Sequence, residues 1–297
     1  MKKIFFLFFI LTTPTIIPAQ KIDKQLQQQI NTLVAGFNGQ VGIYIKNLHT
    51  NKTVMINADT IFPTASIVKI PILVGIADKI YKGELAYEEE LIYKDSLLYG
   101  SGDILGSFKN NEKITLKKAL MLMLTTSDNT ASLWLQSLAG TGIRINEILD
   151  QTGFVFTRVN SRTAGRETFR TQYGWGQTTP KEMGILLEKI YQKKLFTPAL
   201  CERMMRCLGK NLWDTNEAIS QIPPTIEVFS KNGCVDASRS EVMIVNAPHN
   251  PYLLSIFTKN NKDIRWVHDN EAWVLARKIS ALLWNYFEPK MKYTAPE

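Results

Sequence analysis

Phe62-Pro63-Thr64-Ala65-Ser66-Ile67-Val68-Lys69-Ile70-Pro71 places a hydroxyl and an amine three residues apart at the start of an apolar run. Residues at that spacing share one face of a helix, so the two side chains can meet. From Ile70 to Ile80 the run is apolar nearly all round, broken only by Asp78 and Lys79. That is the pattern of a helix buried in a domain. A serine in its first turn is held rigidly, near the partial positive charge of the helix N-terminus. Two descriptions fit the pair alone: a nucleophile beside a base, or a helix cap at Ser66 or Thr64 followed by an ordinary first-turn lysine.

Working outward, apolar residues at Ile22, Leu26, Ile30, Leu33, Val34 and Phe37 predict a helix, and Val41–Lys46 a strand that turns at 49–52 into a second strand. On the far side of the organising helix, 84–111 is polar and punctuated by glycine, which predicts irregular chain. Thr115 is expected to cap a helix over 116–124, followed by helices over 131–138 and 143–151. Periodicity is lost over 154–179, so this stretch reads as a long loop, functional or disordered. Pro180 and Pro198 open two helices. Strand-like runs at 226–230, 242–247 and 253–258 form an antiparallel meander, and a last helix covers 273–287.

This order predicts an α/β chain of the α+β kind: an antiparallel sheet flanked by the terminal helices, with an inserted all-helical lobe. The sheet lobe is expected over about 20–60 plus 210–297 and the helical lobe over about 61–209, with the site in the cleft between them. Residues 1–19 read as a secretory signal peptide: Lys2-Lys3, the apolar run from Ile4 to Leu11, then Pro18-Ala19. A secreted or periplasmic protein without a stable membrane anchor is the expectation.

With 45% apolar and 21% charged residues in 297, the composition is that of a soluble globular chain. Its net charge of +8 falls to +6 when Lys2 and Lys3 are removed. The lysines are scattered, which argues against a nucleic-acid surface. Cys201, Cys207 and Cys234 suggest no essential disulfide. His49, His249 and His268 are isolated, so neither a metal hydrolase nor a serine–histidine–aspartate triad is expected. No metal or cofactor is expected, and the protein is expected to be a monomer.

Three short motifs follow one another: Ser66-Ile67-Val68-Lys69, Ser127-Asp128-Asn129 and Lys231-Asn232-Gly233. The first opens a helix, the second joins two helices, and the third ends a strand. Together with Pro71, Asn129-Thr130-Ala131, Thr178-Thr179-Pro180 and Arg239, they make the chain resemble the class A β-lactamases and the wider penicillin-recognising serine hydrolases, and so imply a β-lactamase/transpeptidase-like fold.

The resemblance implies that Ser66 is the nucleophile and that Lys69 takes its proton when a nearby cation and burial leave it neutral. It implies that Ser127 passes a proton to the leaving nitrogen and that Asn129 bonds a substrate amide. Lys231 and Arg239, with Asn232 and Gly233, would hold a substrate carboxylate, and the N–H groups of Ser66 and Cys234 would form the oxyanion hole. Glu167 stands as candidate for the carboxylate that activates water, although Thr171 occupies the place of the expected asparagine. A surface ion pair is the other description of Glu167. Asn232 replaces the usual threonine or serine. The expected activity is opening of a β-lactam through an acyl-Ser66 intermediate. The alternatives are a D-alanyl peptidase or other serine amidase or esterase with slow β-lactam deacylation, or a non-catalytic penicillin-binding protein of the same fold.

Overall fold

Alternation in two strands fixes the layers. In Val242–Val245 and Tyr252–Phe257 the residues Val242, Ile244, Leu253 and Phe257 enter one hydrophobic core, while Met243, Val245, Tyr252, Leu254 and Ile256 enter another. A sheet that buries both faces in this way must have helices on each side. The computed structural model describes residues 21–295 apart from 101, 210, 214 and 215, so the expected leader lies outside the described residues.

In chain order the strands are β1 (Lys21–Ile22), β2 (Gln40–Asn47), β3 (Lys52–Ile56), β4 (Phe62–Pro63), β5 (Glu90–Ile92), β6 (Lys113–Thr115), β7 (Arg158–Val159), β8 (Gly176–Thr178), β9 (Val228–Val235), β10 (Ser238–Val245) and β11 (Tyr252–Lys259). The helices are α1 (Lys24–Val34), α2 (Lys69–Tyr81), α3 (Leu116–Thr125), α4 (Asn129–Leu138), α5 (Thr141–Gln151), α6 (Glu167–Tyr173), α7 (Pro180–Tyr191), α8 (Pro198–Leu208) and α9 (Glu271–Phe287). The main sheet runs β1-β3-β2-β11-β10-β9, antiparallel except for the short β1–β3 pair. Its middle joins the two ends of the chain, with Tyr44 opposite Ser255.

One core packs α1 and α9 on the sheet through Leu26, Ile30, Ile279, Leu283 and Trp284. The other takes in α2, α3, α4, α5, α7 and α8. Helix α2 contributes to it on every side, as its all-round apolar sequence requires. Helix α7 lies tightly on the sheet because Gly184 offers no side chain: a β-carbon there would stand 2.9 Å from Leu253 and Tyr44.

Three local expectations need correction. Ser66 sits in a 3₁₀ turn over Ala65–Val68, and the α-helix begins only at Lys69. Thr115 makes no side-chain cap of α3, whereas Thr179 and Thr197 do cap α7 and α8. The aperiodic 154–179 stretch is ordered by β7, α6 and β8. Its entry is tied down by Glu182 in the first turn of α7, whose carboxylate accepts from the backbone N–H groups of Val155, Phe156 and Thr157. Such tertiary partners leave no mark on local periodicity.

Candidate active site

The site lies where the start of α2 meets the edge strand β9. Two non-glycine residues there hold left-handed backbone, Ala65 just before the serine at φ 43° and Ser127 at φ 59°. Such conformations cost energy and persist where the surroundings enforce them. The turn at Ser127 is enforced by two acids. Asp128 caps α4 by accepting from Ala131 N at 2.7 Å and also accepts from Leu105 N at 3.0 Å. Asp103, from the irregular 84–111 stretch, accepts from Asn129 N at 2.9 Å, Thr130 N at 2.8 Å and Thr130 Oγ1 at 2.6 Å. Sequence reasoning missed Asp103, and its flanking glycines were the only local hint of a structured turn.

Lys69 is fully buried, and its Nζ reaches four oxygens: Ser66 Oγ at 3.1 Å, Ser127 Oγ at 2.9 Å, Ser127 O at 2.6 Å and Asn129 Oδ1 at 2.8 Å. A neutral amine has two protons and one lone pair. The Ser127 carbonyl and the Asn129 amide oxygen can only accept, so they take both protons. The lone pair is then left for a hydroxyl, and Ser66 Oγ is within reach of it. Burial, and then the charge of Lys231, pull the Lys69 ammonium well below the ordinary lysine range, while Asp103 and Asp128 pull the other way.

Gly233 closes the arrangement from the sheet side. A β-carbon on it would lie 2.3 Å from Thr64 O and 3.0 Å from both Ser66 N and Ile67 N. Only glycine lets β9 press against the serine turn this closely. Ser66, Asn129 and Cys234 then line one cleft of about 590 Å³, with Tyr99, Trp175, Val235, Ser238 and Lys259 further along it.

The other residues expected here divide. Lys231 is buried in β9, with its Nζ donating to Asn232 O at 3.0 Å and Asn232 Oδ1 at 2.9 Å. Asn232 is not among the residues lining the cleft. Its Nδ2 donates to Glu217 Oε1 at 3.0 Å, and its Oδ1 also accepts from Asn211 Nδ2 at 3.3 Å, so both ends of the amide are engaged within the protein. Glu217, missed by sequence reasoning, also accepts from Cys234 Sγ at 3.5 Å, and burial raises its carboxyl above the usual range. The Cys234 side chain therefore points behind the strand, and its thiol is pushed up by burial.

Arg239 is likewise turned away. Its guanidinium stacks between Trp266 and Trp273, 4.1 and 4.8 Å from the ring centroids, and donates to the carbonyls of Val235, Asp236, Ser238 and Arg265. Facing Cys234 across the β9–β10 ladder, it shares that residue's side of the sheet. Glu167 is exposed at the first position of α6, where its Oε1 accepts from Gly165 N at 3.1 Å. It is absent from the cleft wall, and among the described residues none that lines the cleft carries a carboxylate.

With that geometry in view, comparison with known proteins is direct. The sequence matches the β-lactamase enzyme family over residues 25–287. The chain belongs to this family. It is a mixed α/β serine hydrolase of the β-lactamase type. Among curated proteins it is similar to β-lactamase VEB-1 from Pseudomonas aeruginosa, 24% identical over 287 residues that cover 92% of this chain and 94% of the other. A solved structure of PBP-A, a single-residue mutant held as an acyl-enzyme complex with penicillin G, superposes with a TM-score of 0.80 at 23% identity, covering 92% of this chain and 100% of that one. A class A β-lactamase from Bacteroides cellulosilyticus gives 0.77 at 20% identity, covering 88% and 96%. At these identities the solved structures speak to the fold, and the β-lactamase family is the statement about chemistry.

Proposed function

We propose that this β-lactamase family member opens β-lactams by acylation of Ser66 and releases the product slowly, so that the acyl-enzyme accumulates. The observation that carries the acylation step is the set of four oxygens around the Lys69 amine, which leaves its lone pair for the Ser66 hydroxyl. In this reading Lys69 accepts the serine proton as the oxygen attacks the lactam carbonyl. The oxyanion is met by the N–H groups of Ser66 and Cys234, brought together by the close approach of Gly233. Ser127, also bonded to Lys69, carries the proton on to the leaving nitrogen.

Slow release is supported by the carboxylate-free cleft wall together with the exposed position of Glu167. Among the described residues of the wall, water attacking the ester then finds no carboxylate base, and general-base assistance of that kind is worth about 10²–10⁴ in rate. A D-alanyl peptide, whose amide carries the same chemistry, is the second substrate class in this reading, and the same carboxylate-free wall favours it. Export is part of the proposal, on the strength of the sequence of residues 1–19, which reads as a secretory leader.

The test is intact-protein mass spectrometry after mixing with a penicillin. A stoichiometric adduct that persists, vanishes in Ser66→Ala and decays equally fast in Glu167→Gln is expected. Sustained turnover of a chromogenic cephalosporin that collapses in Glu167→Gln would refute slow release.

A further inference from the structure

Among the described residues lining the cleft, the acylation reading leaves one cation unused. Lys231 is buried, and Arg239 is packed behind the sheet between two tryptophans, so neither guards the open part of the cleft. Lys259, the last residue of β11, does stand in its wall. Its Nζ donates to Ile61 O at 2.6 Å and lies 4.8 Å from the centre of the Phe62 ring. A carbonyl and a ring face leave the positive charge uncompensated and at least one donor available. Among the described residues, no carboxylate lies within ion-pair distance of it. Partial burial lowers its affinity for the proton, the signature of a charge that lacks a full water shell.

The position on the sheet says which part of a substrate it meets. The leaving nitrogen must lie toward Ser127, on the side of Lys231. Past Cys234 the chain turns back at Ser238, and the register that pairs Glu241 with Ile256 sets Ser238 beside Lys259. Ser238, Lys259, Asn260, Pro63 and the Tyr173–Trp175 segment therefore wall the end of the cleft remote from the leaving group. That end receives the substituent on the acyl half.

Resting on the acyl-Ser66 reading, we infer that Lys259 determines acyl-side specificity by selecting donors with a carboxylate on the acyl substituent. Asn260 beside it, at φ 56°, sets an amide at the same end of the cleft. The aromatic rings of Tyr99 and Trp175, 5.1 Å apart edge to face, offer an apolar surface for the rest of the substituent.

The experiment measures the efficiency of Ser66 acylation by three penicillins that share a phenylacetyl frame: carboxybenzyl, benzyl and aminobenzyl. Attraction of one and repulsion of another should separate the carboxybenzyl and aminobenzyl compounds by about tenfold in the wild type, in the order carboxybenzyl, benzyl, aminobenzyl. The ratio should fall to about twofold in Lys259→Gln and persist in Lys259→Arg. Raising salt from about 0.05 to about 0.5 M should compress the wild-type ratio, a readout that needs no variant. A parallel arm with carboxylated and neutral acyl-D-alanyl-D-alanine peptides identifies the source, the larger preference marking the native donor. Equal efficiencies in both arms, alongside normal adducts, would overturn the role of Lys259 alone. Absence of any adduct from all compounds would overturn the acylation reading, and this inference with it.

Discussion

Gly233→Ala is the sharpest test of how the two halves of the site are held together. The added carbon would sit 2.3 Å from Thr64 O, while real β-carbons essentially never come closer than 3.0 Å, so at least 3.0 − 2.3 = 0.7 Å must be made up. All three obstructing atoms are backbone, and the Thr64 carbonyl is pinned because it accepts from Ile67 N at 3.0 Å. Strand β9 must therefore back away from the serine turn. Overpacking of this kind costs ~1–3 kcal/mol of stability, visible as a fall of several degrees in Tm. The effect on chemistry should be larger. Moving the Cys234 N–H by most of an ångström removes one oxyanion donor, worth ~3 kcal/mol of barrier, or roughly a hundredfold in acylation rate. Thermal unfolding and time-resolved mass spectrometry with a penicillin read the two effects separately. Gly102→Ala, where nothing lies within 4 Å of the new carbon, serves as the control. A Gly233→Ala protein that acylates within about threefold of wild type would refute the close-approach argument.

The remaining expectations concern the charges around Lys69. Acylation needs its neutral form, so the rate should rise with pH through the lysine's own titration. Lys231→Ala removes a neighbouring cation, which raises the Lys69 pKa and moves the acid limb of the pH–rate profile to higher pH. Asp103→Asn removes a neighbouring anion and should move the limb to lower pH. If the two variants shift the limb in the same direction, Lys69 is not the titrating group. Asp103→Ala strips the acceptor from Asn129 N, Thr130 N and Thr130 Oγ1 and should cost about 1–3 kcal/mol in denaturant unfolding. No loss of stability would mean that the Ser127 turn does not depend on it.

What could be read in the sequence follows from the range of the forces involved. Helix α2 and the meander β9–β11 announce themselves because elements buried on every face read as continuous apolar runs, told apart by their length and the turns that bound them. The meeting of Ser66, Lys69 and Ser127 was legible because three motifs, each weak alone, occur in one order. Asn232 and Arg239 were misread for a common reason: their partners, Glu217, Trp266 and Trp273, lie on other elements, and no local pattern says which face of a strand a polar group will serve. Glu167 was the sole acid between Gln151 and Lys181, so the carboxylate that the class A resemblance implies could only be placed there. A helix begun at that residue, with its carboxylate on Gly165 N, turns it to solvent instead.

The seam between β2 and β11 has a biosynthetic consequence. Residues 40–47 pair with β3 on one side but have no neighbour on the other until residues 252–259 emerge, and β9 is fixed to the sheet only through β10 and β11. A ribosome that has made the serine and its lysine has thus not yet made a reactive protein. The nascent chain stays inert, and long-range closure of this kind is intrinsically slow. Under the export proposed above, that delay would leave time to thread the chain across a membrane before it folds.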